Sequence, residues 1–426
     1  SSISPAWVLG ASYYNVEYSE YKKIVFACAV VELLLRVFMT VLAFSLASYF
    51  LPFIIEPLDE IYYLYFTIAL IAFCADSFWP LISSMLVIEK KAALFSYMEF
   101  FRISINLLAV ICVLEFLDTK QLAFYIPAAS AAILLMLFTL YLLKSRMTVC
   151  FDIKIFRHCF KVGAPSIPGN ISEVLTKSTD NFAVQWYGGG ISQVGLYSHS
   201  KAYGGIFLMI TKSFFRVFRS EILNVFSNNT KTEQLQSVIS NWLYVFAIAG
   251  IGLGLMIEPM LNLLTNGKLV DASTLVIFWY SGMLISFYGY VFTQFLISKE
   301  MTGVIMWIQV VTNILSLLLL FAGGFFFGIY GIAAGAVIGM FINQTSRSFF
   351  SQGRGCGVKL LKPLLFSLIL VASTSGLIEI TSPDLLIRLL IFIMVIILLA
   401  ILLFRKVIPE SERFAKLTSN AGIDIV

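Results

Sequence analysis

Long apolar runs, separated by short polar breaks, recur along the whole chain. A helix that crosses the hydrocarbon core of a bilayer needs about 20 mainly apolar residues, and these runs reach that length. We therefore predict twelve membrane-spanning helices, at residues 24–55, 61–88, 98–118, 122–143, 164–187, 193–219, 238–263, 272–298, 302–326, 328–346, 361–381 and 385–405. The first run is too long for one straight crossing at about 1.5 Å per residue, so it must tilt or protrude.

Basic residues alternate from one side of the predicted spans to the other. The loops of one side carry two of them, Lys120 and Lys268. The polar segments of the other side carry 20 Lys and Arg, in residues 12–23, 89–97, 144–163, 219–237, 299–301, 347–362 and 405–426. Because cytoplasmic loops are enriched in Lys and Arg, these segments and the C-terminus are predicted to be cytoplasmic.

Composition narrows the function classes. The chain is 59% hydrophobic and 12% charged, with a mean hydropathy of +0.91, whereas soluble proteins carry about 25% charged residues. We therefore predict an all-α polytopic membrane protein. The sequence shows neither a phosphate-binding glycine loop followed by Lys-Ser/Thr nor a catalytic constellation, so we expect no enzyme, no cofactor and no nucleic-acid partner. Cys150, His158 and Cys159 share one loop without a further ligand pair, so no metal site is expected.

The chain also repeats weakly. Residues 86–91 resemble residues 296–300, and residues 15–20 resemble residues 229–234, with offsets of 210 and 214. Because both members of each pair are on the predicted cytoplasmic side, two lobes related by an axis along the membrane normal are expected. Each lobe would have six helices.

The repeat also predicts how the chain is divided. The hairpin at residues 163–219 has no earlier copy and the chain begins with Ser1, so we expect an N-terminal lobe that lacks two helices. The predicted divisions are an incomplete N-terminal lobe at 1–143, a cytoplasmic linker at 144–163, a C-terminal lobe at 164–346, two additional helices within 347–405 and a cytoplasmic tail at 406–426.

The hairpin at residues 163–219 carries more charge than membrane helices usually tolerate. Each charge within hydrocarbon costs roughly 2.5–3.5 kcal/mol, so such residues usually face a wet cavity or a partner. On each helix the polar residues share one face. The first helix has Asn170, Glu173, Lys177 and Asp180; after Gly188-Gly189-Gly190, the second has Lys201, Lys212, Arg216 and Arg219. The two stripes indicate the interior of a transport pathway with cations in excess.

Ten charged residues within or beside the predicted spans are candidate site residues. The candidates for binding an anionic substrate are Lys177, Lys201, Lys212, Arg216, Arg36 and Arg102. The candidates for ion coupling are Asp76, Asp180, Glu173 and Glu32.

Purely structural alternatives stay open for most of these candidates. Glu173, Lys177 and Asp180 could neutralise one another along their helix, and Glu32 and Arg36 could form an i,i+4 pair. Lys212 and Arg216 could reach the cytoplasmic surface, Arg102 is expected near that rim, and Arg219 is interpreted as an interfacial anchor. Asp76 has no partner within a turn of its own helix.

Several short motifs point to a family. Residues 163–170, GAPSIPGN, are followed by Ser178-Thr179-Asp180 and by residues 194–198, VGLYS, with Lys201-Ala202-Tyr203. They resemble the central helical hairpin of O-antigen and polysaccharide flippases, in the multidrug/oligosaccharidyl-lipid/polysaccharide exporter superfamily. Residues 328–336, GIYGIAAGA, resemble the Tyr-Gly-rich helix of the same superfamily.

The resemblance implies two helical lobes around a central cavity, a MATE-like architecture that moves by alternating access. The implied substrate is an undecaprenyl-diphosphate-linked oligosaccharide, flipped across the bacterial inner membrane, with membrane lipids and polysaccharide polymerase and chain-length proteins as partners. The lack of two N-terminal helices would depart from the family. Alternatives are a multidrug/cation antiporter or a lipid II flippase of the same fold, or a non-transporting membrane subunit of a polysaccharide assembly complex.

Overall fold

A computed structural model describes residues 5–13, 16–54, 60–116, 126–144, 146–228, 231–381 and 384–419. Every regular element in these residues is helical, as predicted. The α-helices are α1 (Pro5–Ser12), α2 (Tyr18–Ile54), α3 (Glu60–Ala75), α4 (Trp79–Ile88), α5 (Ala92–Phe116), α6 (Ile126–Lys144), α7 (Ile153–Gly163), α8 (Ser166–Tyr187), α9 (Ile191–Asn228), α10 (Thr232–Thr265), α11 (Ala272–Ser298), α12 (Thr302–Gln352), α13 (Leu361–Thr381), α14 (Leu385–Leu402) and α15 (Ile408–Ser419).

The predicted spans fall on these helices wherever the chain is described. Among the described residues, eight helical stretches are long and apolar enough to cross a membrane. One of them is α12, which contains two predicted spans, at 302–326 and 328–346. Three further predicted spans correspond to α6, α8 and α9, which are helical but lie outside this set; α6 is shorter, and α8 and α9 carry the charged stripes.

The 51 residues of α12 form two arms that fold back on each other. The backbone leaves helical geometry at Gly328, where φ is 58° and ψ is −139°, a conformation that glycine adopts without steric cost. A Cβ atom added to Gly331 would overlap the carbonyl oxygen of Gly323, and one added to Gly335 would lie 2.7 Å from the carbonyl oxygen of Leu319. The two arms therefore pack closely along the small residues of this segment.

The chain forms two compact units. The first contains residues 1–170 and 300–303, and the second contains residues 171–299 and 304–426. Side chains such as Tyr21, Leu81 and Ile82 build the core of the first unit. One core cluster of the second unit contains Tyr197 and Ile332, both fully buried.

The predicted internal repeat has a backbone counterpart. Lys90 follows the end of α4 with φ of 60°, and Glu300 follows the end of α11 with φ of 56°. Their separation equals the 210-residue offset of the first sequence repeat. A left-handed conformation costs a residue other than glycine roughly 1–2 kcal/mol. Its occurrence at both matching turns therefore supports the repeat.

Contacts within each unit bring predicted cytoplasmic segments together. In the first unit, segment 144–163 is joined to three others through Thr148 N to Lys22 O at 3.3 Å, Arg146 Nε to Glu89 Oε2 at 3.6 Å, and His158 Nε2 to Glu300 Oε1 at 3.7 Å. In the second unit, the Lys359 N–H donates to Gln236 Oε1 at 2.8 Å, and the Ser237 hydroxyl donates to Glu410 at 3.3 Å. These contacts agree with the alternation of the loops. The cytoplasmic location of the segments stays a prediction.

Candidate functional site

The predicted charged hairpin consists of α8 and α9, joined by a glycine turn. Gly189 and Gly190 have φ values of 101° and 102°, which side chains would disfavour. The turn sends α9 back so that Tyr197 and Lys201, one helical turn apart on α9, face Asp180 of α8. The local sequence thereby places an acid and a base opposite each other on two helices.

Asp180 and Lys201 form an ion pair between these helices. The carboxylate of Asp180 is buried, and Oδ2 accepts hydrogen bonds from the Lys201 ammonium and, at 3.4 Å, from the Tyr197 hydroxyl. Among the described side chains, which do not include Lys177, Oδ1 has no hydrogen-bond partner. Because the described ion pair joins side chains of two helices, it is a candidate for exchange with another ligand.

Aromatic rings surround the lysine of this pair. The Lys201 ammonium lies 5.6 Å from the ring centroid of Trp279 and 6.0 Å from that of Tyr197. The Trp279 indole is fixed by a 3.2 Å hydrogen bond from Nε1 to the Ser200 hydroxyl. Ring faces attract a cation at these distances, so the site can hold Lys201 in place while its carboxylate partner is being exchanged.

Glu173, also on α8, has a different partner. Its Oε2 accepts a hydrogen bond from Gln309 Nε2 of α12 at 2.8 Å. One residue earlier, the Ser172 hydroxyl accepts from Asn313 Nδ2 at 2.8 Å. The polar face of α8 is therefore shared, with Asp180 facing α9 and Glu173 facing α12.

In the first unit, Glu32 and Arg36 form a buried pair within α2. Arg36 Nε donates to Glu32 Oε1 at 2.9 Å, and both side chains are at most 3% exposed. The guanidinium also donates to the Phe73 carbonyl at 2.8 Å and lies 4.8 Å from the centre of that ring. These contacts favour the structural alternative, since they fasten α2 to α3.

Asp76 lies where α3 ends, in a 3₁₀ turn at Asp76–Phe78. It is partly buried, and the positive charges of Arg102 and Arg36, on other helices, act on its carboxylate. Arg102 is half-exposed, 3.9 Å from Glu99 and 5.5 Å from the Trp79 ring centroid. Residue spacing along the helix of Asp76 could not predict these neighbours, because Arg36 is on α2 and Arg102 is on α5.

The remaining cationic candidates are on or beside α9. Lys212 is exposed, and the side chains of Lys177 and Arg216 lie outside the described residues. Arg219 is buried, at 8% exposure, so its side chain packs against the protein, and its role as an interfacial anchor stays a prediction. The helix α9 continues past Arg219 to Asn228.

A polar network that the sequence did not predict crosses the second unit. Arg347, assigned above to a cytoplasmic segment, is on the second arm of α12 and donates to the Thr293 hydroxyl of α11 at 2.8 Å. The negative charge of Glu173 also acts on Arg347. The Asn343 amide donates to Thr312 between the two arms of α12. The i,i+4 spacing of Asn343 and Arg347 places both residues on one face of a helix and could have predicted this network. The network was missed because Arg347 was assigned to a cytoplasmic segment.

The residues described include no group of three or more His, Cys, Asp or Glu that could hold a metal ion. An apolar groove of about 530 Å³ lies in the first unit, and its walls include Leu33, Val41, Phe44, Ile71 and Met136. The second unit thus has an ion pair that could bind an anion or a cation, and the first unit has a groove that could bind a hydrocarbon chain.

No protein-family model matches the sequence, and no curated protein matches it. Solved structures do match. A mutant of the Vibrio cholerae MATE transporter VcmN superposes with a TM-score of 0.69 at 12% identity, over 82% of this chain and 84% of VcmN. The chain has the MATE-like fold. A MATE structure in the straight conformation gives a TM-score of 0.67 at 13% identity, over 83% of each chain.

A lipid II flippase shares the MATE-like fold with this chain. MurJ, in its inward closed conformation, superposes with a TM-score of 0.58 at 16% identity, over 95% of this chain and 96% of MurJ. Together with the apolar helices, these likenesses identify a multi-pass membrane protein with the fold of transporters and flippases.

Proposed function

We propose that this protein flips a lipid-linked oligosaccharide across the bacterial inner membrane by alternating access. The substrate would be an undecaprenyl-diphosphate-linked repeat unit of O-antigen or another surface polysaccharide. The supporting observation is the share of this chain that aligns with each solved structure. This share is 95% for the flippase MurJ and 82% for VcmN. The TM-score is higher for VcmN, at 0.69 against 0.58, and it favours the second candidate function given below.

The charges of the α8–α9 hairpin support a diphosphate substrate. A diphosphate is recognised by charge-assisted hydrogen bonds from Lys and Arg. Lys201 already binds an anionic group, the Asp180 carboxylate, which a phosphate oxygen could replace. Lys177 and Lys212 would extend the cationic path along the same two helices. A proton on Asp180 would release Lys201, so this acid is the proposed coupling group.

The apolar groove of the first unit supports a lipid-linked substrate. Its lining is almost wholly apolar, with Leu33 and Phe44 among the wall residues, so a hydrocarbon chain can occupy it without being exposed to water or to polar groups. A sugar or a free nucleotide would gain nothing there. The groove therefore fits the polyprenyl part of the proposed substrate.

The direct test is flipping by the purified protein in proteoliposomes. A fluorescent polyprenyl-diphosphate oligosaccharide is placed in the inner leaflet, and its arrival outside is followed with an impermeant quencher. We expect rates well above those of protein-free vesicles. Folded protein that leaves the rate at the protein-free level would contradict the proposal.

The second candidate is a multidrug/cation antiporter, favoured by the higher TM-scores to MATE transporters. Asp76 and Asp180 would then bind the cation. Ethidium efflux driven by a proton gradient, measured in the same vesicles, distinguishes the two functions. Efflux without lipid flipping would favour the antiporter.

A further inference from the structure

The segment between α6 and α8 is fastened to the beginning of α2. Three contacts hold it: Thr148 N to Lys22 O at 3.3 Å, the Phe151 ring at 5.4 Å from the Phe26 ring, and Cys159 Sγ at 3.8 Å from Cys28 Sγ. All three α2 residues lie near the start of an apolar span that begins at Tyr18. The helix of this segment, α7, is therefore held at the level where α2 meets the membrane surface.

α7 has one face packed on the protein and one face exposed. Cys159 and Val162 are buried at 1% and 3% exposure. On the opposite face, Ile153 and Phe160 are 83% and 53% exposed, and Phe151, just before the helix, is 79% exposed. The exposed apolar side chains are thus grouped on one side at the depth of the bilayer surface.

Cations accompany these apolar side chains. Lys154, Arg157 and Lys161 are exposed, and the helix IKIFRHCFKVG contains no acidic residue. The neighbouring Asp152 uses its carboxylate to cap the helix, accepting from the Lys154 N–H at 2.8 Å. An exposed face with apolar side chains beside Lys and Arg is typical of helices that lie in the membrane interface.

We propose that α7 is an in-plane membrane anchor that binds the phosphate headgroups of anionic lipids. Lys154, Arg157 and Lys161 contact the headgroups, while Ile153 and Phe160 insert between the upper parts of the acyl chains. Charge complementarity and the fixed depth of α7 favour the bilayer over a protein partner. This anchor is independent of the proposed substrate.

The first test measures the depth of the exposed face. Phe160→Cys is made in a protein whose Cys74, Cys112 and Cys150 are replaced by Ala, and the new thiol is labelled with an environment-sensitive dye. We expect blue-shifted emission and quenching by brominated lipids in vesicles of phosphatidylcholine with phosphatidylglycerol, and weaker effects in phosphatidylcholine alone. Emission typical of water in both vesicles overturns the proposal. So does burial that depends on protein concentration, because a second copy would then cover the face.

The second test removes the charge. The triple variant Lys154→Gln, Arg157→Gln and Lys161→Gln is compared with a matched variant, Arg354→Gln, Lys359→Gln and Lys362→Gln, which loses the same charge from another exposed basic segment. Each cation near an anionic surface strengthens attachment roughly fivefold. We expect the first variant alone to lose the phosphatidylglycerol-dependent blue shift of the dye. An equal loss in both variants, or in neither, overturns the assignment to α7.

Discussion

In the α12 hairpin, glycines let two helical arms touch backbone to backbone, whereas in the α8–α9 hairpin a charged side chain reaches across to its partner. Gly331 and Gly323 leave no room for a Cβ atom between the arms of α12. Between α8 and α9, the described polar contact is made by Lys201 and Tyr197 with the Asp180 carboxylate. All of these contacts lie in the second unit, so the two hairpins can be compared directly.

The two kinds of contact have different consequences for movement. Backbone contact at glycines requires one fixed separation of the helices and depends on dispersion over a close interface. An ion pair between side chains can be exchanged for another anion or released by a proton. We infer that α12 is a rigid element and that the α8–α9 hairpin is the element that responds to substrate.

The largest expected effect comes from filling the glycine contact of α12. Gly331→Ala forces backbone atoms apart, and overpacking of this kind costs about 3 kcal/mol at the upper end of its usual range. We expect a strong loss of folded protein, measured by thermal unfolding in detergent. The matched control is Gly303→Ala on the first arm, where a Cβ meets no atom within 4 Å, and which should be neutral or stabilising by up to about 1 kcal/mol. Equal stability of both variants would contradict the inference that α12 is a rigid element.

A smaller loss of stability is expected where α9 packs on α11. Gly204 packs on Trp279 of α11 so closely that a Cβ would overlap that side chain, whereas its neighbour Gly205 faces open space. Gly204→Ala should destabilise by about 1–3 kcal/mol, and Gly205→Ala should not destabilise. If the two variants unfold at the same temperature, α9 is not fixed on α11 at Gly204.

The inference that the α8–α9 hairpin responds to substrate is tested at the ion pair of Asp180 and Lys201. Lys201→Gln removes the cation that is proposed to bind the phosphate, so we expect the flipping rate to fall at least tenfold. We expect the double variant Asp180→Asn/Lys201→Gln to fold as well as the natural protein and to stay inactive. Lys268→Gln, in an exposed loop, serves as the control. Full flipping by the double variant would make the pair a structural contact only.

The smallest effect concerns the end of the rigid hairpin. Cys356 follows α12 and is 1% exposed, and burial raises the pKa of its thiol to about 11 from an ordinary value of 9.0. Because the folded pKa is raised, the stability from the neutral thiol is complete below about pH 9 and is lost as pH rises through 11. At pH 8 we expect maleimide to label Cys356 at least tenfold more slowly than the partly exposed Cys150. Comparable rates would show that this end of α12 opens.

The hydrophobic pattern and residue spacing predicted much of this structure. They predicted the helices, and they placed Asp180 and Lys201 on the two helices of one hairpin, because both depend on residues close in sequence. The partners of the charges depend on how helices are rotated about their axes, which spacing along one helix does not determine. The sequence therefore did not predict that Asp180 pairs with Lys201. It also did not predict that Arg347 belongs to a polar network within the helices and not to a loop.

The most direct measurement of the proposed pathway is the flipping rate of two single variants, Lys177→Ala and Lys212→Ala, in proteoliposomes. Both lysines belong to the charged stripes of the α8–α9 hairpin, and Lys268→Ala is the matched control. If the diphosphate passes along this hairpin, both variants slow the movement of polyprenyl-diphosphate oligosaccharide at least tenfold and the control does not. Unchanged flipping by both variants would contradict a cationic pathway between α8 and α9.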